Sequence, residues 1–342
     1  MRMKRIIILA TVAAIAATAC TKTFEAVQTQ GSPVGFGTWA NVLTKARTAG
    51  SSTFVNGDDF NVYGFKTISA ANTTVFNGDA VSFDGTDWSY TNLRFWDPNA
   101  SSYTFYAASP AGLIATANAQ TGEFTSNSIA FAGNDNDVLV ADKKTVPQTD
   151  FNNPVNLSFN HIASLVDFKV KKHAEIAAAT VAVTSFQINN IDNVGTFSVN
   201  DAYTGSHPVV TWNPTARGAY SNTSGVTSVA TLPSNVGTDG SDFLINHLVV
   251  MPQTFRTDAN IQTVTIEYAI TSGGDTVTNT ATFNLKTFDN VDDKDNEDTL
   301  IADWEGGKHY TFYITINANA IVFTASIADW VTPNNGYHYL LQ

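Results

Sequence analysis

Cysteine is almost missing from this 342-residue chain, which has a single thiol at Cys20. One thiol excludes an internal disulfide and a Cys-rich metal site. Charge is also scarce. Asp, Glu, Lys and Arg make up 14% of the residues, against about 25% in an ordinary soluble domain. Cations are the rarer sign, with 18 Lys and Arg facing 30 Asp and Glu for a net charge of −12. Such a chain has no clustered basic surface to track phosphates, which excludes nucleic acid as a partner. Long hydrophobic runs are missing too. The longest, Ile6 to Ala19, has 14 residues, short of the roughly 20 that span a bilayer. There is no HExxH pair, no G-x-S-x-G elbow and no P-loop, so a zinc hydrolase, an α/β-hydrolase and a P-loop NTPase lose their signatures. Glutamates number six, and no carboxylate pair stands out by spacing, so a glycosidase has no positive support. No catalytic residue, metal ligand or cofactor is assigned, and the chain reads as a non-enzyme.

What is there is a β pattern. Hydrophobic residues make up 43% of the chain, enough for a packed core. Side chains alternate with period two at Asn61–Lys66, Tyr103–Tyr106, Thr263–Tyr268 and Tyr310–Ile316. Turn clusters separate such runs: Asn56-Gly57-Asp58, Asn77-Gly78-Asp79, Asp84-Gly85, Gly133-Asn134-Asp135 and Ser272-Gly273-Gly274-Asp275. The only helix-like stretch beyond the first twenty residues is Lys171–Ala179 (KKHAEIAAA). Many short strands with regular turns predict an all-β chain of β-sandwiches. Length suits two domains. The stretch Val146–Pro154 (VPQTDFNNP) reads as a linker, which places the boundary near residue 158. The expected organisation is residues 1–19, then 20–50, a first sandwich over 51–158 and a second over 159–342.

The N-terminus pairs a basic start (Arg2, Lys4, Arg5) with the apolar run and then Ala17-Thr18-Ala19-Cys20. That is the layout of a signal peptide, and small residues before Cys resemble a lipobox. Cys20 is therefore the expected lipidation site, a plain secretory signal being the alternative. Residues 21–33 read as a tether, and Leu43–Ser52 (LTKARTAGSS) as an exposed loop open to proteolysis that carries Lys45 and Arg47. The acidic run Asp289–Asp298 lacks the Gly of a calcium loop and reads as a solvated surface loop. Six tryptophans (Trp39, Trp88, Trp96, Trp212, Trp304, Trp330) offer either core or a sugar-stacking surface.

Several stretches together resemble the fimbrillin family, the lipoprotein-type pilus subunits of anaerobic Gram-negative bacteria. They are Cys20 in its lipobox, Gly35-Phe36-Gly37-Thr38 with the Lys45-Ala46-Arg47 loop, and Tyr63-Gly64-Phe65. Leu157–Phe168, Val249-Val250-Met251-Pro252-Gln253, Trp304–Tyr310 and Ser326-Ile327-Ala328-Asp329-Trp330 complete the set. The resemblance implies two tandem transthyretin-like β-sandwiches. It implies export as an outer-membrane lipoprotein through signal peptidase, and cutting by an Arg-directed protease at Arg47, with Lys45 as the weaker option. Polymerisation with other pilus subunits then follows by strand exchange, and the fibre serves adhesion to a host or bacterial surface ligand. A surface glycan-binding lipoprotein is the alternative.

Alternation supports the exchange. Val34, Phe36, Thr38, Ala40 and Val42 share one face of a removable first strand. Losing three large apolar side chains from a core would cost on the order of 5–9 kcal/mol, close to a domain's whole stability. At the other end, Ile321, Phe323, Ala325 and Ile327 share a face. They form either a donor strand or the last strand of their own sandwich. The tail offers Tyr337, Tyr339 and Leu341 as the other candidate donor.

Overall fold

Period-two sequence becomes strand wherever the structure can be compared with it. The computed structural model describes residues 31–37, 54–131, 137–200, 207–222, 243–290, 300–317 and 321–330. The fold is all-β, and no α-helix occurs among the described residues. Three larger sheets carry it. The first runs in the order Phe159–His161, Leu139–Ala141, Ser102–Ser109, Asp59–Ile68, Ala71–Phe83, Trp88–Ser89, with Lys144–Pro147 beside Ser102–Ser109. The second runs Phe243–Val250, Ser164–Lys172, Lys308–Ile316, Ile321–Asp329, Asp289–Asn290. The third is built on the 20-residue strand Thr180–Val199. It is flanked by Thr263–Ser272 and Asp275–Asn284, by Val210–Asn222, and by the short strands Ile114–Asn118, Glu123–Ser126 and Ile129–Ala130.

Successive residues of the central strands face different cores. In Asp59–Ile68, Phe60 and Val62 point into an aromatic core with Phe76, Trp96, Tyr103 and Phe105. Tyr63 and Phe65 point the other way, into a second core with Tyr106, Phe124, Phe197, Met251 and Trp330. In Ser164–Lys172, Leu165 joins that second core, while Val166, Phe168 and Val170 face a third with Phe186, Ile188, Phe312 and Ile314. Both strands are buried on both faces over much of their length, with polar residues such as Asn61 and Asp167 set among the apolar ones. The chain interleaves around residue 158. Phe159–His161 pairs with Leu139–Ala141, and Thr125 and Ala130 pair with Ser198 and Val194 of the long strand.

Two local expectations change. Lys171–Ala179 is not a helix: the strand continues to Lys172, a single 3-10 turn covers Ala174–Ile176, and strand resumes at Thr180. Buried Lys172 donates from Nζ to the carbonyls of Ala177 (2.5 Å) and Ala179 (2.9 Å), taking acceptors a helix would use differently. Asn77-Gly78-Asp79 lies inside the strand Ala71–Phe83 rather than at a turn. Gly78 has φ +89° at a register shift opposite Val62 and Tyr63, a bulge that needs the same positive φ as a turn. Gly273 and Gly274, at φ +64° and +93°, do make the tight hairpin between Thr263–Ser272 and Asp275–Asn284. Gly133-Asn134-Asp135 lies outside the described residues.

Candidate functional site

Residues 32–37 form a short extended segment bonded on both sides. On one side Val34 N donates to Arg94 O (2.8 Å), and Trp96 N donates to Ser32 O (3.0 Å), around a Pro33–Phe95 bridge. On the other, Phe36–Gly37 runs parallel to Val155–Asn156, and Val155 N donates to Gly35 O (2.8 Å). The segment is an inserted strand rather than an edge.

Its inward side chains reach the centre of the aromatic core. Val34 is 1% and Phe36 7% exposed. Phe36 meets Phe60, Phe76, Tyr90 and Phe105 edge-on at 6.0, 5.5, 5.7 and 5.9 Å between ring centroids. Such pairs add about 0.5–1.5 kcal/mol each beyond area burial. Burying the two side chains stabilises the core by about 3–6 kcal/mol.

The stretch from Tyr90 to Trp96 closes over the segment, and nothing in the sequence singled it out. Tyr90 Oη donates to Val34 O at 2.7 Å, and burial raises its phenol above the ordinary value, so it stays a donor. Arg94 fastens this strap to the sheet through Val75 O (3.1 Å from Nε) and the Asp79 carboxylate (3.1 Å from Nη2), and braces the strap itself through Asn92 O (2.7 Å from Nη1). At Gly31 an added Cβ would lie 2.3 Å from Trp96 O, so the segment enters the groove only through a glycine.

The other expected site residues divide in two. Cys20, Thr38, Ala40, Val42, Lys45, Arg47, Tyr337, Tyr339 and Leu341 lie outside the described residues. Ile321, Phe323, Ala325 and Ile327 lie on the strand Ile321–Asp329. That strand pairs in continuous antiparallel register with Lys308–Ile316, the arrangement of a last strand in its own sheet. The acidic run keeps only Asp289–Asn290, parallel to Thr324 and Ala325; its remainder lies outside the described residues.

Among the described residues the histidines do not converge on a reacting centre. His161 Nδ1 sits 2.8 Å from the Asp137 carboxylate, both side chains fully buried, and its ring stacks on Trp330 at 3.8 Å. His309 Nε2 lies 2.8 Å from Asp167 Oδ2, with the His247 ring 6.3 Å away. Among the described residues no three metal-ligating side chains come together.

The family model described as fimbrillin-like matches residues 44–330. The chain belongs to the fimbrillin-like family. It is thereby a pilus-type, fimbrial subunit. Solved structures similar to this fimbrillin-like chain include one described as a cell adhesion protein from Bacteroides uniformis, at 16% identity over 87% of this chain and 98% of that one (TM-score 0.49). A fimbrial protein from Bacteroides vulgatus has 16% identity over 87% and 99% (0.48). The tip fimbrial protein Mfa3 from Porphyromonas gingivalis, truncated at its C-terminus, has 9% identity over 80% and 95% (0.36). No curated protein matches the chain.

Proposed function

We propose that this subunit is exported as a lipoprotein on Cys20 and cut near Arg47. It then polymerises by exchanging its first strand for one from another subunit. It is organised as two tandem transthyretin-like sandwiches whose strands interleave about residue 158, and it resides on the outer membrane until assembly. The observation that carries this reading is the seat of residues 32–37. The segment supplies Val34 and Phe36 to the aromatic core while bonded on both sides. Removing it would therefore open a groove with two apolar pockets and two unpaired backbone rows. Exposed pockets beside free strand edges recruit a replacement strand. With Ile321–Asp329 committed to its own sheet, the tail carrying Tyr337, Tyr339 and Leu341 is the better donor.

The test is N-terminal sequencing of subunits from assembled fibres. A new end at Thr48 is expected. A chain still starting at Cys20 within the fibre would overturn the maturation step.

A further inference from the structure

Two cavities meet at the side chains of Trp212 and Pro252. One, of about 590 Å³, is lined further by Asp192, Pro214, Gln253, Arg256 and Asp258. The other, of about 410 Å³, is lined by Asn160, His207, Gly306 and Gly307 among others. Both volumes fall in the range of small-molecule sites. We propose that this divided cleft binds a saccharide chain, one sugar on each side of the Trp212–Pro252 ridge. The proposal gives the adhesion expected of such a subunit a ligand class and stands independently of strand exchange.

Trp212 behaves unlike the tryptophans that build the cores. Trp96, Trp304 and Trp330 are 3%, 1% and 2% exposed, whereas Trp212 is only partly buried. It is nonetheless held rigidly. Its Nε1 donates to Ile162 O at 3.0 Å, and its ring leans on Phe197 and Phe131 at centroid distances of 5.4 and 5.7 Å. A fixed aromatic surface at the mouth of two cavities suits the apolar face of a pyranose ring, and it loses little conformational freedom on binding.

The polar groups beside it are equally fixed. Asp192 is 5% exposed, and both carboxylate oxygens are held: Oδ1 by Arg217 Nε at 3.2 Å and Oδ2 by Arg256 Nη2. Gln253 brackets the same residue, accepting from Asp192 N (2.9 Å) and donating to Asp192 O (3.2 Å) and Met251 O (3.0 Å). Among the described residues these bonds leave Nε of Arg256 with a donor to spare, and Asp258 adds acceptors. Sugar hydroxyls both donate and accept, and need this mixture. Arg256 is the one cation of the lining against Asp192 and Asp258, so the cleft carries no excess of positive charge, which suits a neutral polyhydroxylated ligand better than a polyanion.

Glycines keep the second cavity open. A Cβ on Gly306 would lie 2.7 Å from Ile162 O, and Gly307 has φ +74°. Both positions thus resist side chains that would fill the floor.

The purified full chain is screened on immobilised neutral hexose oligomers, N-acetylhexosamine oligomers and sialylated lactose. The best binder is then titrated by tryptophan fluorescence. Saturable binding is expected. It should weaken about tenfold or more in Trp212→Phe, which keeps contacts to Phe131 and Phe197, and in Thr257→Trp, which fills the larger cavity from an exposed position. Thermal melts matching the unsubstituted chain separate lost binding from lost folding. No saturable binding to any of the three classes would overturn the proposal, as would affinity unchanged in both variants. A steep loss between roughly 50 and 500 mM NaCl would also overturn it, because contacts to a neutral ligand are not screened by salt. None of these failures touches the maturation test at Thr48.

Discussion

The aromatic core around Phe36 and the core around Phe168 and Phe312 are built on different plans. The first takes two side chains, Val34 and Phe36, from a segment that lies ahead of its sheet in the chain and is bonded on both sides. The second is closed by long neighbours, with Ser164–Lys172, Lys308–Ile316 and Ile321–Asp329 paired through eight or nine registered positions at each seam. A core finished by an inserted piece can lose that piece and be refilled. A core whose central strands are long and paired in continuous register cannot lose one of them alone.

The strongest way to break this comparison is to delete residues 31–37 and follow amide exchange. Protection should collapse in Asp59–Ile68 and Ser102–Ser109 while Ser164–Lys172 keeps its own. A synthetic peptide of residues 31–37 added in trans should restore it. Equal loss in both regions would erase the distinction. Next in size is Phe36→Ala, expected to cost about 3–5 kcal/mol in urea denaturation. Phe312→Ala should cost a similar amount, yet no peptide should repair it. A smaller loss, about 1–3 kcal/mol, is expected for Gly31→Ala, because the new Cβ would sit 2.3 Å from Trp96 O. It should be read from the same denaturation curves.

The smallest effect concerns pH and falls on one region only. No histidine precedes residue 161, so the Phe36 core has none of its own. His247, on the Phe243–Val250 strand, has its pKa lowered chiefly by burial; Asp167 opposes the shift and His309 adds to it. A lowered folded-state pKa means the unfolded chain takes the proton first on acidification. Stability is therefore full above about pH 6.5 and falls as pH drops through the folded value. His247→Asn should flatten that slope, since Asn tolerates the observed φ of +61°. Melting temperatures of both proteins at about pH 7.5 and 5.5 measure the difference, with the Asp167–His309 contact unchanged.

Strands were legible because alternation is local. Tyr310–Ile316 announces its buried face within seven residues, and the structure buries Tyr310, Phe312, Ile314 and Ile316. Gly78 was misplaced because a turn and a bulge ask the same thing of one residue, a positive φ, and only the partner strand tells them apart. Lys171–Ala179 misled because its alanines favour helix in isolation, whereas buried Lys172 binds the loop carbonyls instead. Val34 and Phe36 were legible as an inward face, but the strap that receives them was not. Tyr90 and Arg94 lie nearly sixty residues away and carry no motif. The cleft was harder still. Asp192, Trp212, Gln253 and Arg256 are spread over more than sixty positions; the pairing of Thr180–Val199 with Val210–Asn222 brings in Trp212, and side-chain bonds to Asp192 bring in Gln253 and Arg256.

The long strand Thr180–Val199 has a mechanical consequence. One backbone of 20 residues, roughly 60 Å when extended, pairs with Thr263–Ser272 at its start and with Glu123–Ser126 and Ile129–Ala130 near its end. Antiparallel ladder bonds lie perpendicular to their strands. A pull along this axis loads many of those bonds at once in shear rather than peeling them one by one. Tension applied along the strand then passes from its Thr263–Ser272 neighbour to the short strands Glu123–Ser126 and Ile129–Ala130 through one backbone.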